Sequence, residues 1–502
     1  MKRADILDRI RSRQTPWDIV VIGGGATGVG CAMDAATRGF DVLLLEQHDF
    51  GKGTSSRSTK LVHGGVRYLA QGNISLVREA LKERGILLKN APHVVHKLAF
   101  VVPCYSLWQK IFYGAGLKIY DLLSGKYSFG KSRIISKAET LVQLPGITPK
   151  GLAGGVLYFD GQFDDARLLI DMVRSADTNG ATLLNYAKVV SFAKNISGTI
   201  AGVNFQDVET GENFEIAAKA VINASGVFSD EVRTASNNDS RAMLTFSQGV
   251  HLVIDRRFFA SETAMLIPKT KDGRVLFCIP WLGSLLVGTT ERPVDHPELE
   301  PRALDTEIDF ILETIAGYLS PAPTRADILS VFAGIRPLVK SGDSKNTASI
   351  SRGHTIEIGQ NGLVTITGGK WTTYRRMAED AVNQAIDVGK LSKTPSITAD
   401  RQISPPAPYE SISQKLHPDL PYNESHVIRA VRDEYALTIE DVLARRTRAL
   451  FLNADAAIEM APKIADLMAR ELSKDPGWIM EQLRAFKQTA ENYVVRRHPN
   501  QQ

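Results

Sequence analysis

The sequence predicts an α/β protein: a Rossmann-type nucleotide-binding domain, an antiparallel β-sheet capping it, and an all-α C-terminal domain. Three observations lead there. The stretch "WDIVVIGGGATGVGCAMDAATRGFDVLLLEQ" reads as buried strand, glycine turn, helix and second buried strand. Between about 241 and 330 the pattern alternates, and "GRVLFCIPW", an "LGS" turn and "LLVGTT" make a β-hairpin. Beyond a Pro/Ser-rich stretch, "SKTPSITADRQISPPAPYES", apolar residues recur at helical spacing in "IEDVLARRTRALFL".

The first unit has a ligand written into it. Gly23, Gly25 and Gly28 supply G-x-G-x-x-G after the strand "DIVVIG", and Glu46 closes the second strand 18 residues after Gly28. The glycines permit a tight turn and let a pyrophosphate approach the helix N-terminus, where free N–H groups and the helix dipole favour anions. Glu46 can accept hydrogen bonds from a ribose 2′-hydroxyl and repels a 2′-phosphate. Strand, motif, helix, strand and acid in this order point to a dinucleotide, with NAD and FAD both open. Two later segments, "AKAVINASGVFSD" and "NGLVTITGGKWTTYRRMAEDAVNQAI", are again strands running into small-residue turns. The chain therefore leaves the nucleotide domain and returns to it twice.

Composition narrows the class. With 502 residues, two or three domains are expected. A net charge of +5, from 60 basic and 55 acidic residues, is too mild for a nucleic-acid binder but suits an anionic substrate or acidic membrane surface. Cys31, Cys104 and Cys278 share no close spacing, which argues for a reducing compartment and against a disulfide frame or thiolate metal site. The ten histidines fall in no metal-ligand pattern, so no metal is expected. No run approaches the roughly 20 apolar residues of a membrane span, and the N-terminus has neither signal-peptide nor transit-peptide character. "FVVPCYSLWQKIFYGAGLKIYDLLSGK" (100–126), apolar and aromatic with interspersed lysines, reads instead as a helix lying in a membrane interface.

Residues 60–69, "KLVHGGVRYL", gather a lysine, a histidine, an arginine and a tyrosine around Gly64-Gly65, a pair that allows close backbone approach. With "VVIGGGATGVGCAMDAATRG", "GTSSRSTKLVHGGVRYL", "DDARL", "VINASGVFSD", "IPWLGSLLVGTTE", "GIRPLV" and "TGGKWTTYRRMAEDA", the sequence resembles the FAD-dependent glycerol-3-phosphate dehydrogenases, within the larger flavoprotein group of D-amino-acid oxidase. The motifs run in family order from about residue 17 to 380, and the last hundred residues resemble that family's helical C-terminal domain. The expected organisation is an oxidoreductase region over 1–394. Its FAD-binding parts lie at about 1–100, 151–240 and 331–394, and its cap at about 101–150 and 241–330. A linker at 395–410 and a helical domain over 411–502 complete the chain.

The resemblance implies FAD as cofactor and oxidation of sn-glycerol 3-phosphate to dihydroxyacetone phosphate. Gly23, Gly25, Gly28, Glu46, Thr54, Ser55, Ser56, Ser58, Lys60, Gly64, Gly65, Ala224, Gly226, Gly369 and Lys370 would meet the flavin nucleotide. Arg67 and Tyr68 would face the substrate, and Arg336, Arg352 and Lys370 would hold its phosphate, as guanidinium and ammonium groups are suited to do. His251 is the expected base, with Arg336 the rival or polarising group, and His63 is assigned to loop packing or flavin contact. The family's aspartate after the two threonines is Glu291 here, which leaves a role for that residue in doubt. Implied partners are ubiquinone or menaquinone at the membrane surface, with a homodimer open and no nucleic acid. The implied location is cytoplasmic, peripheral on the inner face of the cell membrane. The rivals are a glycerol-3-phosphate oxidase using oxygen, a related amino-acid or hydroxy-acid oxidoreductase, and a non-catalytic nucleotide-binding protein.

Overall fold

The computed structural model describes residues 3–70, 72–237, 241–270, 273–340, 353–408 and 414–495. Apolar runs long enough to be buried on both faces become the centre of an eight-stranded sheet. Its parallel core runs Val364–Gly368, Asn213–Asn223, Trp17–Ile22, Val42–Leu45, Thr182–Leu184, with His354–Ile358 antiparallel at one edge. The register sets Ile22 between Leu45 and Asn223, so the glycine turn and the turn after Asn223 leave the sheet side by side. Both predicted returns of the chain to the nucleotide sheet are thus present.

Three helices, Ala26–Thr37, Asp165–Thr178 and Tyr374–Val388, cover one face through a shared core that includes Val29, Met33, Leu168, Met172 and Val382. Small residues set the spacing: a Cβ on Gly30 would lie 3.0 Å from the Tyr374 ring. The other face carries the N-terminal helix Arg3–Ser12, whose Ile6 and Ile10 pack with Val20, Leu43 and Phe205.

The cap is a ten-stranded, mostly antiparallel sheet. It draws in more chain than the sequence pattern assigns to it. Gly154–Phe163 and Ile328–Val339, expected in the nucleotide domain, belong to this sheet, as does the end of that domain's first part, Val95–Cys104. A strand covered on both faces reads the same in either sheet, and only its partners decide. The proposed 100–126 helix is likewise split: residues 100–104 finish a buried strand, and the helix is Leu107–Ser124, N-capped by Ser106.

The all-α domain is present over the described part of 414–495, with Glu424–Asp433, Ala454–Leu472 and Pro476–Ala490 as its longer helices. It is no loosely tethered appendage. Residues 395–410, read as a linker, include Thr398–Asp400 and a buried Ile403, and Thr398 Oγ1 donates to Asp34 at 3.2 Å. The domain also seats itself on the cap strand: the Val331 amide donates to the Tyr493 carbonyl, Ser330 Oγ to Leu450 O, and Phe332 meets Phe451 at 4.8 Å between centroids.

The basic run Arg445, Arg446, Arg448 is buried, not solvated, at 2%, 5% and 2% exposure. Arg446 and Arg445 both grip Asp49, and Arg445 also holds Glu440 at 2.7 Å and Asp441 at 2.7 Å. Glu440 pairs with Lys52, which also reaches Glu300 of the cap at 2.7 Å. One loop of the nucleotide domain (49–57) is therefore ion-paired to both other parts of the molecule. Breaking one member of such a set strands buried charge. Asp49→Ala is expected to cost about 3–5 kcal/mol, seen as a lower midpoint in urea denaturation, with Lys188→Ala on the exposed face as the neutral control.

Candidate active site

The glycine turn is built around contacts no side chain could share. Gly23 has φ of +109°, and a Cβ on Gly28 would fall 1.9 Å from the Gly23 carbonyl oxygen. The helix Ala26–Thr37 starts at Gly25 without a side-chain cap at that residue, and the Ala26 amide is met by Ser55 Oγ at 2.9 Å. Glu46 turns back to this loop, accepting from the Gly24 amide at 2.6 Å and the His48 amide at 2.8 Å. Burial pushes its carboxyl pKa up, and those two donors pull it back. Asn223 shapes the neighbouring turn: its Oδ1 accepts from Ser225 Oγ, and its Nδ2 donates to the Ser229 carbonyl at 3.0 Å.

These elements enclose a cleft of about 310 Å³, lined among others by Gly23, Gly25, Glu46, Thr54, Ser55, Ala224 and Gly226. It has what a dinucleotide needs: a helix N-terminus with amides available, an acid at the end of the second strand, and glycines where a Cβ would close the approach. Of the expected nucleotide ligands, these seven meet in one place. Gly28 lies behind them as the packing contact.

A second cluster forms around the Gly64-Gly65 pair. Gly65 has φ of +79°, and Lys370 Nζ stands 3.9 Å above the Tyr68 ring, near where a Cβ on Gly65 would be. The His63 amide donates to Thr372 Oγ1 at 3.2 Å, the Gly64 amide to Tyr120 Oη at 2.8 Å, and Trp371 Nε1 to the Ser55 carbonyl at 2.8 Å. Gly368 and Gly369, both with positive φ, deliver Lys370 to the start of the turn Trp371–Thr373 that leads into helix Tyr374–Val388. Arg352 and the side chain of Arg67 lie outside the described residues.

The third cluster is a row across the cap sheet. Phe277, Gly288, His251 and Phe332 are aligned partners on four adjacent strands. His63 meets Phe277 edge-on at 6.5 Å, which joins the row to the second cluster. The His251 ring stacks on Phe332 at 4.9 Å and 14°, and Gly288 provides its space, since a Cβ there would be 2.4 Å from His251 Cδ2. Arg336 projects from the same face of its strand as Phe332, donating to Thr289 Oγ1 at 3.1 Å over Gly249, where a Cβ would strike its guanidinium at 2.3 Å. Burial first, then the Arg336 guanidinium and the Lys60 ammonium, hold the His251 pKa well below the ordinary imidazole value.

Three sequence-derived residues have side chains employed elsewhere. Lys60, expected along the flavin, is fully buried with φ of +63°. It donates to Asp165 Oδ2 at 2.7 Å and the Ser56 carbonyl at 2.8 Å, facing the Trp281, Phe332 and Phe451 rings. Burial drives its pKa down to about 7 against the pull of Asp165. Ser58 donates through its amide and hydroxyl to the same carboxylate, and Ser56 is buried, with its carbonyl taken by Lys60 and Arg448. The loop's length and its serines suggested a cofactor strip. Instead, the buried acid at the start of helix Asp165–Thr178 claims its polar groups.

Sequence reasoning missed Thr59, whose hydroxyl sits 2.9 Å from His251 Nε2, and Asp165, which anchors the loop. It also missed Glu307, which accepts from Thr290 Oγ1 at 2.7 Å and from Gln248 Nε2 at 2.8 Å. The "DDARL" motif held the one available signal, for Asp165.

A family model described as FAD dependent oxidoreductase matches residues 18–375, and one described as the C-terminal domain of alpha-glycerophosphate oxidase matches 368–477. The chain is 38% identical to the probable mitochondrial glycerol-3-phosphate dehydrogenase of Caenorhabditis elegans, covering 98% of this chain and 75% of that protein. It is 39% identical to the mitochondrial glycerol-3-phosphate dehydrogenase of Homo sapiens, covering 93% and 72%. Among solved structures, the glycerol-3-phosphate dehydrogenase of Bacillus halodurans complexed with FAD aligns with a TM-score of 0.79 at 28% identity, covering 98% of each chain. The L-alpha-glycerophosphate oxidase of Mycoplasma pneumoniae, at 17% identity and a TM-score of 0.58, covers 76% of this chain and 97% of its own and shares the fold. The cofactor is FAD, and the cleft at the glycine turn fits its nucleotide portion. By sequence over nearly its whole length, the chain belongs to the FAD-dependent glycerol-3-phosphate dehydrogenases.

Proposed function

We propose that this protein oxidises sn-glycerol 3-phosphate at C2 to dihydroxyacetone phosphate and passes the electrons to ubiquinone or menaquinone at a membrane surface. The observation that carries the reading is the convergence of Lys370, Tyr68 and the Gly64-Gly65 turn with the row that holds His251 and Arg336. FAD, when bound, supplies the hydride acceptor. Lys370 and Arg336 hold the dianionic phosphate and the reacting oxygen, with Lys370 placed ahead of a helix N-terminus that adds to the local positive potential. Arg67 and Arg352 are further candidates for the phosphate.

His251 serves as base because its environment keeps it neutral, and a base has to be unprotonated to accept. With Nε2–H donating to Thr59 Oγ1, the free lone pair is on Nδ1, which makes no hydrogen bond among the described residues. That nitrogen is buried, and taking the C2 hydroxyl proton there requires substrate binding to open a path to the ring. His63, beside the Gly64-Gly65 turn, packs on Phe277 and keeps its assignment to loop or flavin contact.

The membrane part of the reading rests on helix Leu107–Ser124. Leu107, Trp108, Phe112 and Leu122 on it are 69%, 72%, 56% and 80% exposed, an apolar face that a soluble surface rarely presents in one stripe. Among the described residues no helix is long and apolar enough to cross a membrane. The exposed apolar face supports attachment to a membrane surface, which we take to be the cytoplasmic face of the cell membrane. An oxidase using oxygen is the second reading, favoured by the C-terminal match to alpha-glycerophosphate oxidase.

Adding sn-glycerol 3-phosphate without air to the purified yellow protein should bleach the flavin absorbance, and a protein that stays yellow would sink the substrate assignment. Readmitted air should restore colour slowly for a dehydrogenase and fast for an oxidase. Arg336→Met and Lys370→Met are each expected to lower kcat/KM by about 10²–10³ with FAD content retained, measured by dye-linked turnover. The free-enzyme acid limb of kcat/KM should lie below the ordinary imidazole range, once the substrate phosphate's own titration near about pH 6 is allowed for. Because Arg336 helps lower the His251 pKa, Arg336→Met should move that limb upward. Trp108→Ser with Leu122→Ser should release the protein from anionic vesicles in a sedimentation assay.

A further inference from the structure

The structure carries a chain of contacts from the C-terminal domain to the His251 ring. Thr59, the hydrogen-bond partner of His251 Nε2, sits between two residues that are fastened to one carboxylate. Before it, Ser58 donates to Asp165 Oδ2 through its amide at 3.0 Å and its hydroxyl at 2.7 Å. After it, Lys60 Nζ donates to the same oxygen at 2.7 Å, with its backbone in the left-handed region at φ of +63°. A residue clamped on both sides has little freedom to move its hydroxyl.

The clamp is closed from the far side by Arg448. Its guanidinium donates to the Ser56 carbonyl at 2.9 Å and to the other oxygen of Asp165 at 3.3 Å. Arg448 is 2% exposed and lies 4.1 Å over the Phe451 ring. Phe451 in turn backs Phe332, the residue stacked on His251. The two described contacts that orient the imidazole, a hydrogen bond at Nε2 and a ring face, are thus both supported from residues 448–451.

We propose that Thr59 is a positioning residue for His251, setting its tautomer and ring angle, and that Arg448 acts through Asp165 to hold Thr59 in that role. The inference deepens the reading of His251 as base and rests on it. It makes the C-terminal domain part of the catalytic apparatus by geometry, without a residue of that domain touching substrate. A hydroxyl suits this position. It can accept from Nε2–H and leave the opposite nitrogen free, and unlike a carboxylate it adds no charge that would favour the imidazolium.

The test uses the FAD-loaded full chain with ¹⁵N-labelled histidines, the His251 signals being assigned from a His251→Gln variant. In the native protein Nε2 is expected as the protonated nitrogen and Nδ1 as the unprotonated one. Thr59→Val, nearly isosteric, should scramble that pattern and lower kcat about tenfold with KM little changed, and Thr59→Ser should restore both. Arg448→Met should shift the same signals in the same direction while FAD content stays full. If Arg448→Met does not fold, Asp165→Asn, which retains the shape of the acid, takes its place. His251 nitrogens that remain as in the native protein in Thr59→Val overturn the inference whatever the activity, and so does a kcat that Thr59→Ser does not restore. Full turnover in His251→Gln would instead overturn the base reading alone, since the ring's response to Thr59→Val is read independently.

Discussion

Asp165 is the point on which the arrangement turns. Its carboxylate is fully buried and accepts from Ser58, Lys60, Arg448 and the Ala166 amide, and these partners, Lys60 foremost, hold its pKa below the usual carboxylate range against the cost of burial. A charge so placed is tolerable only with its partners present. The requirement works in both directions. The acid at the first turn of helix Asp165–Thr178 fixes the loop 54–60, and the loop in turn carries Ser55 to the glycine turn, Thr54 to the Ile335 carbonyl and Thr59 to His251. Nucleotide cleft and cap sheet are thereby held in register by one short stretch of chain.

Around that centre the molecule uses glycines as spacers between its working parts. Gly334 admits the Arg57 backbone, where a Cβ would lie 2.9 Å from its carbonyl oxygen. Gly249 makes room for the Arg336 guanidinium and Gly288 for the His251 ring. In each case the absence of a side chain on one strand lets a group from a neighbouring segment lie flat on the sheet. His251 and Arg336 are consequently set on strands, which hold side-chain directions more firmly than loops do, while Lys370 and the Gly64-Gly65 pair come from turns.

The burial of Arg445, Arg446 and Arg448 gives the C-terminal domain a different standing from that of an add-on helical module. Two of their partners, Glu440 and Asp441, lie in the domain itself, and the other two, Asp49 and Asp165, are acids of the nucleotide region that the domain's cations neutralise. Lys52, which lines the cleft, is shared between Glu300 of the cap and Glu440 of the C-terminal domain. The loop that lines the cleft is thus also where the cap and the C-terminal domain are ion-paired to the nucleotide region.

Much of this was open to reading in the chain itself. The Gly23–Gly28 fingerprint, Glu46 and the two returning strands were legible because a buried parallel strand and a phosphate turn impose local patterns within a few dozen residues. Lys370 was legible for the same reason, standing between a Gly-Gly turn and a helix start. What the order of residues could not supply was the direction of Lys60 and Ser58. It could not supply the burial of "RRTR", the sheet to which Gly154–Phe163 and Ile328–Val339 belong, or the Thr59–His251 contact. Each of these depends on a partner far away in the chain, or on which sheet closes over an apolar run. Local propensity and motif spacing determined the fold class and a dinucleotide site, while FAD and the family followed from the resemblance that the quoted motifs carry. The assignment of buried charges to their counter-ions, and with it the shape of the site, was decided only when tertiary packing brought distant acids and bases out of water together.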